Sequence, residues 1–321
     1  MSGFELGGNK VRKLEFLMAE AVSGQHDCVI TVGGLQSNHC RATAAAAALL
    51  GLEAHIILLV SDRVAQSADV GLAGNLLLDR LCGAKIHLCP ASDYRQEGGD
   101  LAAMDRLCAK LREQLRCAGK LPYIVPVGGT TPMSAWGYIN AVQELQEQLA
   151  TMQGGPASFD HVVFALGSGG TATGMVLGSH LSGMLDHCSL HGVNVQHTPA
   201  SFYRAIAAEA RELGLDSCDA IHDWIEIHDG SSLAYGHAND ELLSMIRDVA
   251  CSSGVVLDHI YTGKALYYFS LAARLQPDRF RGKRILFWHT GGQFALFGKD
   301  QRLAEFLDPE AVQPWTLQSR L

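Results

Sequence analysis

Charge is scarce in this 321-residue chain: 18% of residues are Asp, Glu, Lys or Arg, and aromatic residues make up only 7%. The 25 basic residues are outnumbered by 33 acidic ones, a net of −8, and no basic run longer than a few residues relieves the balance. Nucleic acid and anionic membrane surfaces are therefore poor partners, and a small molecule is expected. The nine cysteines are odd in number and include no C-x-x-C pair, which argues against a disulfide framework or a zinc ribbon and fits a reducing compartment. No H-E-x-x-H, G-x-S-x-G or G-x-x-x-x-G-K-[ST] occurs, so metalloprotease, serine hydrolase and nucleoside-triphosphate readings lack support. Internal repeats and low-complexity tracts are absent. The opening Met-Ser-Gly-Phe-Glu-Leu-Gly-Gly has neither the basic and apolar regions of a signal peptide nor the Arg-rich pattern of a transit peptide. Residues 161–185 hold no Asp, Glu, Lys or Arg and are numerous enough to mimic a membrane span, but six glycines and several hydroxyls interrupt them. They predict a strand, a glycine loop and a buried helix.

What is present is the composition of an ordinary globular chain, 48% hydrophobic, with a length suited to about two domains. Helical and strand-like patterns alternate, the signature of parallel sheets with crossover helices. Leu14, Leu17, Met18, Ala21 and Val22 recur at helical spacing, predicting a helix over 11–22. A buried strand follows over 28–32, then a glycine turn, a helix over 41–50 and a strand over 55–60. Further helices are expected near 72–81 and 101–117, with strands over 85–88 and 123–126. A helix over 134–152 ends in the breaker run Gln153-Gly154-Gly155-Pro156. Beyond it come strands over 161–165, 224–227 and 285–288, and helices over 202–213, 241–252 and 263–275.

Several segments can carry chemistry. Leu166-Gly167-Ser168-Gly169-Gly170-Thr171 follows a strand and opens a helix, where backbone N–H groups and the positive helix end suit a phosphate. A dinucleotide reading also fits the glycine spacing but requires an acid at the tip of the next strand, and Val193-Asn194-Val195-Gln196 supplies none. A merely structural turn is the remaining reading. Lys10, after Gly7-Gly8-Asn9, could project into a cleft; by position alone a solvated lysine is the simpler account, and Lys13 reads as a helix-surface residue. Gln36-Ser37-Asn38-His39 lies where ligands collect in open α/β sheets, although Ser37 and Asn38 also serve as helix caps. Tyr261-Thr262-Gly263-Lys264 and Trp288-His289-Thr290-Gly291-Gly292 place hydroxyls and glycines at element ends. A phosphate loop, a candidate Schiff-base lysine and strand-end hydroxyls together suit a carbonyl cofactor with a phosphate handle. His180, His187, Cys188, His191 and His197 match no tetrahedral metal spacing and read as a polar connection, so no metal site is assigned.

Gly7-Gly8-Asn9-Lys10-Val11-Arg12-Lys13-Leu14-Glu15, Gly33-Gly34-Leu35-Gln36-Ser37-Asn38-His39, Pro126-Val127-Gly128-Gly129, Gly167-Ser168-Gly169-Gly170-Thr171, Tyr261-Thr262-Gly263-Lys264 and His289-Thr290-Gly291-Gly292 resemble, in order, the pyridoxal-phosphate enzymes of the D-cysteine desulfhydrase and 1-aminocyclopropane-1-carboxylate deaminase family. The resemblance spans almost the whole chain. It implies the tryptophan-synthase-β-like fold, fold type II: two open parallel-sheet α/β domains with the cofactor between them. The small domain would be 11–125, and the large pyridoxal-phosphate-binding domain 1–10 with 126–321.

Carried over by position, Lys10 would hold the cofactor as a Schiff base, Asn38 would bond its ring hydroxyl, and Ser168, Gly169, Gly170 and Thr171 would hold its phosphate. Tyr261 would lie against the ring, Ser37 would face the substrate carboxylate or move a proton, and Tyr235 would approach the substrate. Deaminases carry Glu and Leu at the two positions where this chain has Thr262 and Thr290. A hydroxyl near the pyridine nitrogen does not enforce its protonation as a carboxylate would, which suits expulsion of a thiolate better than opening of a cyclopropane. The implied reaction is β-elimination of D-cysteine to pyruvate, hydrogen sulfide and ammonia by a homodimer. The alternatives are the deaminase, a non-catalytic pyridoxal-phosphate-binding homologue, and a nicotinamide-dependent oxidoreductase resting on the glycine loop alone. Family members carry further residues ahead of the lysine motif, so early strands of the large domain are expected to be missing here. A targeting peptide would be missing with them, which leaves the compartment open between cytoplasm and an organelle such as the mitochondrion.

Overall fold

The computed structural model describes residues 7–67, 70–152, 158–196, 198–215, 220–298 and 302–307. The breaker run at 153–156, His197 and Cys218 lie outside the described residues, as do residues 1–6.

The first half runs α1 (Lys10–Ser23), β1 (Cys28–Gly34), α2 (Asn38–Leu49), β2 (Glu53–Val60), α3 (Asp62–Ala65), α4 (Gly74–Leu81), β3 (Lys85–Pro90), α5 (Ala91–Gln96), α6 (Leu101–Cys117) and β4 (Pro122–Ile124). Its strands form one parallel sheet in the order β3-β2-β1-β4. The second half runs α7 (Pro132–Thr151), β5 (His161–Leu166), α8 (Gly170–Leu181), β6 (Ser189–Asn194), α9 (Pro199–Glu212), α10 (Ile221–Trp224), β7 (Ile225–Asp229), α11 (Asp240–Ser253), α12 (Thr262–Leu275), α13 (Pro277–Phe280) and β8 (Ile285–Trp288). Its parallel sheet has the order β7-β6-β5-β8. In each half the first strand sits inside the sheet and the chain winds outward on both sides, so the strand order reverses beside β1 and beside β5. The crevice outside such a reversal is where open α/β sheets bind ligands.

Local chemistry accounts for the element starts that matter. Ser37 caps α2 by accepting from the Cys40 backbone N–H at 3.2 Å. Thr131 and Ser134 form a reciprocal capping box on α7 with Pro132 in its first turn, a pattern that fixes a helix start. The uncharged run at 161–185 is β5, the glycine loop and α8, as its glycines require, and no described helix is long and apolar enough to cross a membrane.

Helix α1 packs on α2 of the first half and on α7 of the second. Its inner face, Leu14, Leu17, Met18 and Ala21, is buried, each large side chain contributing about 1.5–3 kcal/mol. Contact between α7 and α8 depends on Gly174, where an added Cβ would come within 2.4 Å of the Ala135 carbonyl oxygen.

Two expectations need correction. The strand expected at 224–227 begins at Ile225, because Trp224 closes α10 and stacks on His180 at 4.0 Å. The supposed polar connection after α8 contains β6, a central strand. Its Ser, His and Asn residues disguised it: His191 is fully buried, hydrogen-bonded to His161 and His228 on the neighbouring strands.

Gly174→Ala is expected to lower stability by about 1–3 kcal/mol through overpacking, although alanine ordinarily favours a helix interior by about 1 kcal/mol. Denaturant unfolding checks this, with Gly34→Ala as the control, since an added Cβ there meets no atom within 4 Å.

Candidate active site

A cleft of about 250 Å³ opens between the two sheets, at the carboxyl ends of their strands. Lys10, Ser37, Asn38, Ser168, Gly169, Thr171, Tyr235, Tyr261 and Thr290 all line it, together with Asn9, His39, Gly128 and Gln196. No carboxylate is among the described lining residues.

Lys10 reaches the cleft because the chain ahead of α1 crosses the turn after β8 in close contact. The Asn9 backbone N–H donates to the Thr290 carbonyl at 2.9 Å. Gly291, at φ +85°, has no room for a Cβ, which would fall 2.6 Å from the Gly8 Cα, so only glycine fits there. Asn9 Nδ2 donates to Thr171 Oγ1 at 3.0 Å, tying this crossing to the first turn of α8. With its helix start held, Lys10 directs Nζ inward, where it donates to the Gly128 carbonyl at 3.1 Å. Burial pulls its ammonium down from 10.5 to about 8, which raises its neutral fraction at pH 7 to about a tenth.

Lys13 is not a surface residue. It is fully buried; its Nζ lies 3.0 Å from where a Cβ on Gly170 would sit, and it donates to Thr130 Oγ1 at 3.4 Å. Thr130 in turn donates to Ser168 Oγ at 2.8 Å. Burial and the neighbouring Lys10 charge hold the Lys13 ammonium well below its usual value, and only Glu209 opposes them. The amphipathic pattern of α1 hid this residue, because position 13 precedes the apolar Leu14 on the same inner face. A phosphate beside the glycine loop would satisfy this buried cation and the amides opening α8 together.

Asn38 Oδ1 accepts from Asn75 Nδ2 at 3.0 Å, so its amide hydrogens are what it offers the cleft. Ser37 approaches the end of β1 so closely that a Cβ on Gly33 would fall 2.7 Å from its Oγ. His39 lies at the cleft floor, its Nε2 2.8 Å from Thr31 Oγ1, which donates to the Val125 carbonyl. Burial and the two lysines push this imidazole well below 6.5, and its Nδ1 has no protein partner. His39 appeared in the sequence only as part of a motif.

The Tyr261 ring packs on Gly167, with Cε1 3.0 Å from a Cβ built there. Its hydroxyl shares a 2.8 Å hydrogen bond with that of Tyr235, and burial raises both phenols above 10, so both stay protonated. Behind Tyr261, the buried Asp258 carboxylate accepts from the backbone N–H groups of Ile260, Tyr261 and Thr262 and from the Thr262 hydroxyl at 2.6 Å. Thr262 therefore turns away from the cleft. Gly170 also stands behind the lining, against Lys13 and Thr130. Thr290 is the remaining hydroxyl of the two that the sequence placed near a ring nitrogen. Lys264, also buried, donates to the Leu233 and Ala234 carbonyls at 2.9 and 2.8 Å and so holds the segment that carries Tyr235.

Of the histidine group read from sequence, His180 stacks on Trp224 and His191 lies within β6, so the two serve separate contacts.

The sequence profile of the pyridoxal-phosphate dependent enzymes matches residues 4–291. The chain is 42% identical over 95% of its length to the mitochondrial bifunctional D-cysteine desulfhydrase/1-aminocyclopropane-1-carboxylate deaminase of Arabidopsis thaliana, covering 74% of that relative. It is 36% identical over 91% of its length to the D-cysteine desulfhydrase of Salmonella choleraesuis, covering 84% of it. The crystal structure of an ACC deaminase homologue superposes with a TM-score of 0.77 at 33% identity, covering 94% of this chain and 85% of that one.

Acylation of Lys10, followed by peptide mass spectrometry on the ligand-free chain, is expected to rise with pH around a midpoint near 8 instead of 10.5, because only the neutral amine attacks. Asp258→Asn puts an amide where four donors converge, and a loss of about 1–3 kcal/mol is expected in urea unfolding.

Proposed function

The chain belongs to the pyridoxal-phosphate dependent enzyme family and has its type II fold, and from that premise we propose that it eliminates hydrogen sulfide from D-cysteine, leaving pyruvate and ammonia. The observation that carries this reading is a cleft that holds Lys10 and the Thr290 hydroxyl, with no carboxylate among its described lining residues and with the buried Lys13 behind its glycine loop. The names of the Arabidopsis and Salmonella relatives agree with it.

The residues present fit the cofactor. Lys13 is a buried cation facing a glycine loop, and the start of α8 supplies amide donors. Lys10, Asn38, Ser168, Gly169, Thr171 and Tyr261 would hold the group, with Lys13 in place of Gly170 as the side closing on the phosphate. When bound, pyridoxal phosphate supplies an electron sink for the pair left at the substrate α-carbon.

The chain's own residues account for the remaining work. Lys10, with its ammonium near 8, can take the α-proton at Nζ and return it. Ser37 accepts the Cys40 N–H and keeps its own hydrogen free to donate to a substrate carboxylate at the start of α2. The Tyr235–Tyr261 pair is protonated, so one O–H can donate to the departing sulfur. Thr290 does not enforce protonation of a ring nitrogen, and a thiolate leaves under that weaker demand more readily than a strained carbon–carbon bond opens.

The same proposal divides the chain into a small unit, 11–125, and a large unit, 1–10 with 126–321, supported by the single sheet within each. It also includes a homodimer, which rests on the family resemblance, and an organelle such as the mitochondrion, which rests on the designation of the Arabidopsis relative.

With added pyridoxal phosphate, the chain is expected to release pyruvate and sulfide from D-cysteine, little from L-cysteine, and none after Lys10→Ala. Faster turnover of 1-aminocyclopropane-1-carboxylate than of D-cysteine would replace this reading with the deaminase one.

A further inference from the structure

On the face of the second sheet that packs against Phe269 and Phe280, three histidines form a hydrogen-bonded row. His161 Nδ1 lies 3.0 Å from His191 Nε2, and His191 Nδ1 lies 2.9 Å from His228 Nε2. In the parallel register His191 faces Glu226 directly and His228 pairs with Val193 two residues on. Alternation along the strands then puts His191, Glu226 and His228 on one face. The Glu226 carboxylate reaches both imidazoles, at 3.7 Å from His191 Nδ1 and 3.8 Å from His228 Nε2. These donor atoms all lie within 4.8 Å of one another.

We propose that His191 Nδ1, His228 Nε2 and Glu226 form a binding site for a zinc-class divalent cation, separate from the active site. Two imidazoles and one carboxylate are a donor set that zinc accepts, with a fourth position left to water. At zinc–ligand distances near 2.1 Å, tetrahedral donors stand about 3.4 Å apart; the two imidazole nitrogens are 2.9 Å apart, and the carboxylate approaches them through different oxygens, Oε2 at 3.7 Å from His191 and Oε1 at 3.8 Å from His228, with one donor atom from each residue within 4.8 Å of the others. The imidazole pair has to open by about half an ångström, and the carboxylate has to turn one oxygen toward both nitrogens.

The surroundings favour the same assignment. His191 is fully buried and flanked by Phe269 and Phe280, so its ring is fixed and neutral, the form that ligates. Coordination through Nδ1 leaves its Nε2–H to donate to His161 Nδ1, the outer hydrogen bond that orients metal-bound imidazoles. His228 and Glu226 are more exposed, which leaves an entry path. One group opposes the cation: Arg279 holds Glu226 Oε2 at 2.7 Å. That contact leaves Oε1 for the metal and sets a competition between guanidinium and cation for one carboxylate. Late divalent ions of the first transition series, which bind nitrogen donors most strongly, are the class that would enter.

The test is a titration of the pyridoxal-phosphate-loaded chain with Co²⁺ read by visible absorption, followed by displacement with Zn²⁺. One Co²⁺ per chain is expected, with tetrahedral bands and no thiolate charge-transfer band. His228→Gln and Glu226→Gln should each weaken binding by about tenfold or more, while Arg279→Gln should tighten it, an outcome that misfolding cannot imitate. The cofactor absorption band, read in the same samples, should stay unchanged in all three variants. No uptake at millimolar Co²⁺, a thiolate band, or affinities unaltered in all three variants would overturn the site.

Discussion

Two ammonium groups enclosed at one end of a single helix set the terms for the rest of the cleft. Lys10 and Lys13 lie one turn apart on α1, and burial lowers both, Lys13 the more so because the Lys10 charge opposes its own. Enclosing like charges costs free energy unless something compensates them. Among the described residues the carboxylate that acts on Lys13 is Glu209, itself pushed up by burial. The arrangement therefore favours loss of a proton from one of the two lysines or an anion beside Lys13. His39, held neutral by burial first and by the lysine charges second, adds no third cation to the floor.

This charge arrangement needs backbone that passes at close range. Gly8 crosses Gly291, and Gly33 admits Ser37; Gly128 yields to Ser168, and Gly170 to Lys13. At each crossing a methyl group would displace a side chain at or behind the cleft, or the backbone that carries it. Helix α1 packs on both halves, so Lys10 belongs to neither sheet alone. Any relative motion of the halves would move this lysine against the glycine loop.

The tyrosines on the opposite wall depend on a second buried charge. Asp258 gathers three backbone N–H groups and the Thr262 hydroxyl into one turn, and Lys264 pins the strand-end segment that bears Tyr235. A fully satisfied network of this kind makes the turn rigid. It also removes Thr262 from the cleft, a result that no reading of Tyr261-Thr262-Gly263-Lys264 as a string could reach.

Period and punctuation along the chain were enough for the alternation of helices and strands, the two parallel sheets and the glycine loop at the head of α8, since each depends on neighbours within a few residues, whereas Lys10 came only from the family resemblance. Motifs in the right order also brought Ser37, Asn38, Ser168, Gly169, Thr171, Tyr235, Tyr261 and Thr290 to one cleft. What failed were residues whose role is decided by partners far along the chain. Lys13 read as solvated until α8, more than 150 positions on, covered it. His191 read as loop because a polar residue in a buried strand is tolerable only when other strands supply its hydrogen bonds, and those come from His161 and His228. Burial and pairing are properties of the packed whole, so hydrophobic pattern determined which elements form, and tertiary contact alone decided which polar side chains they enclose.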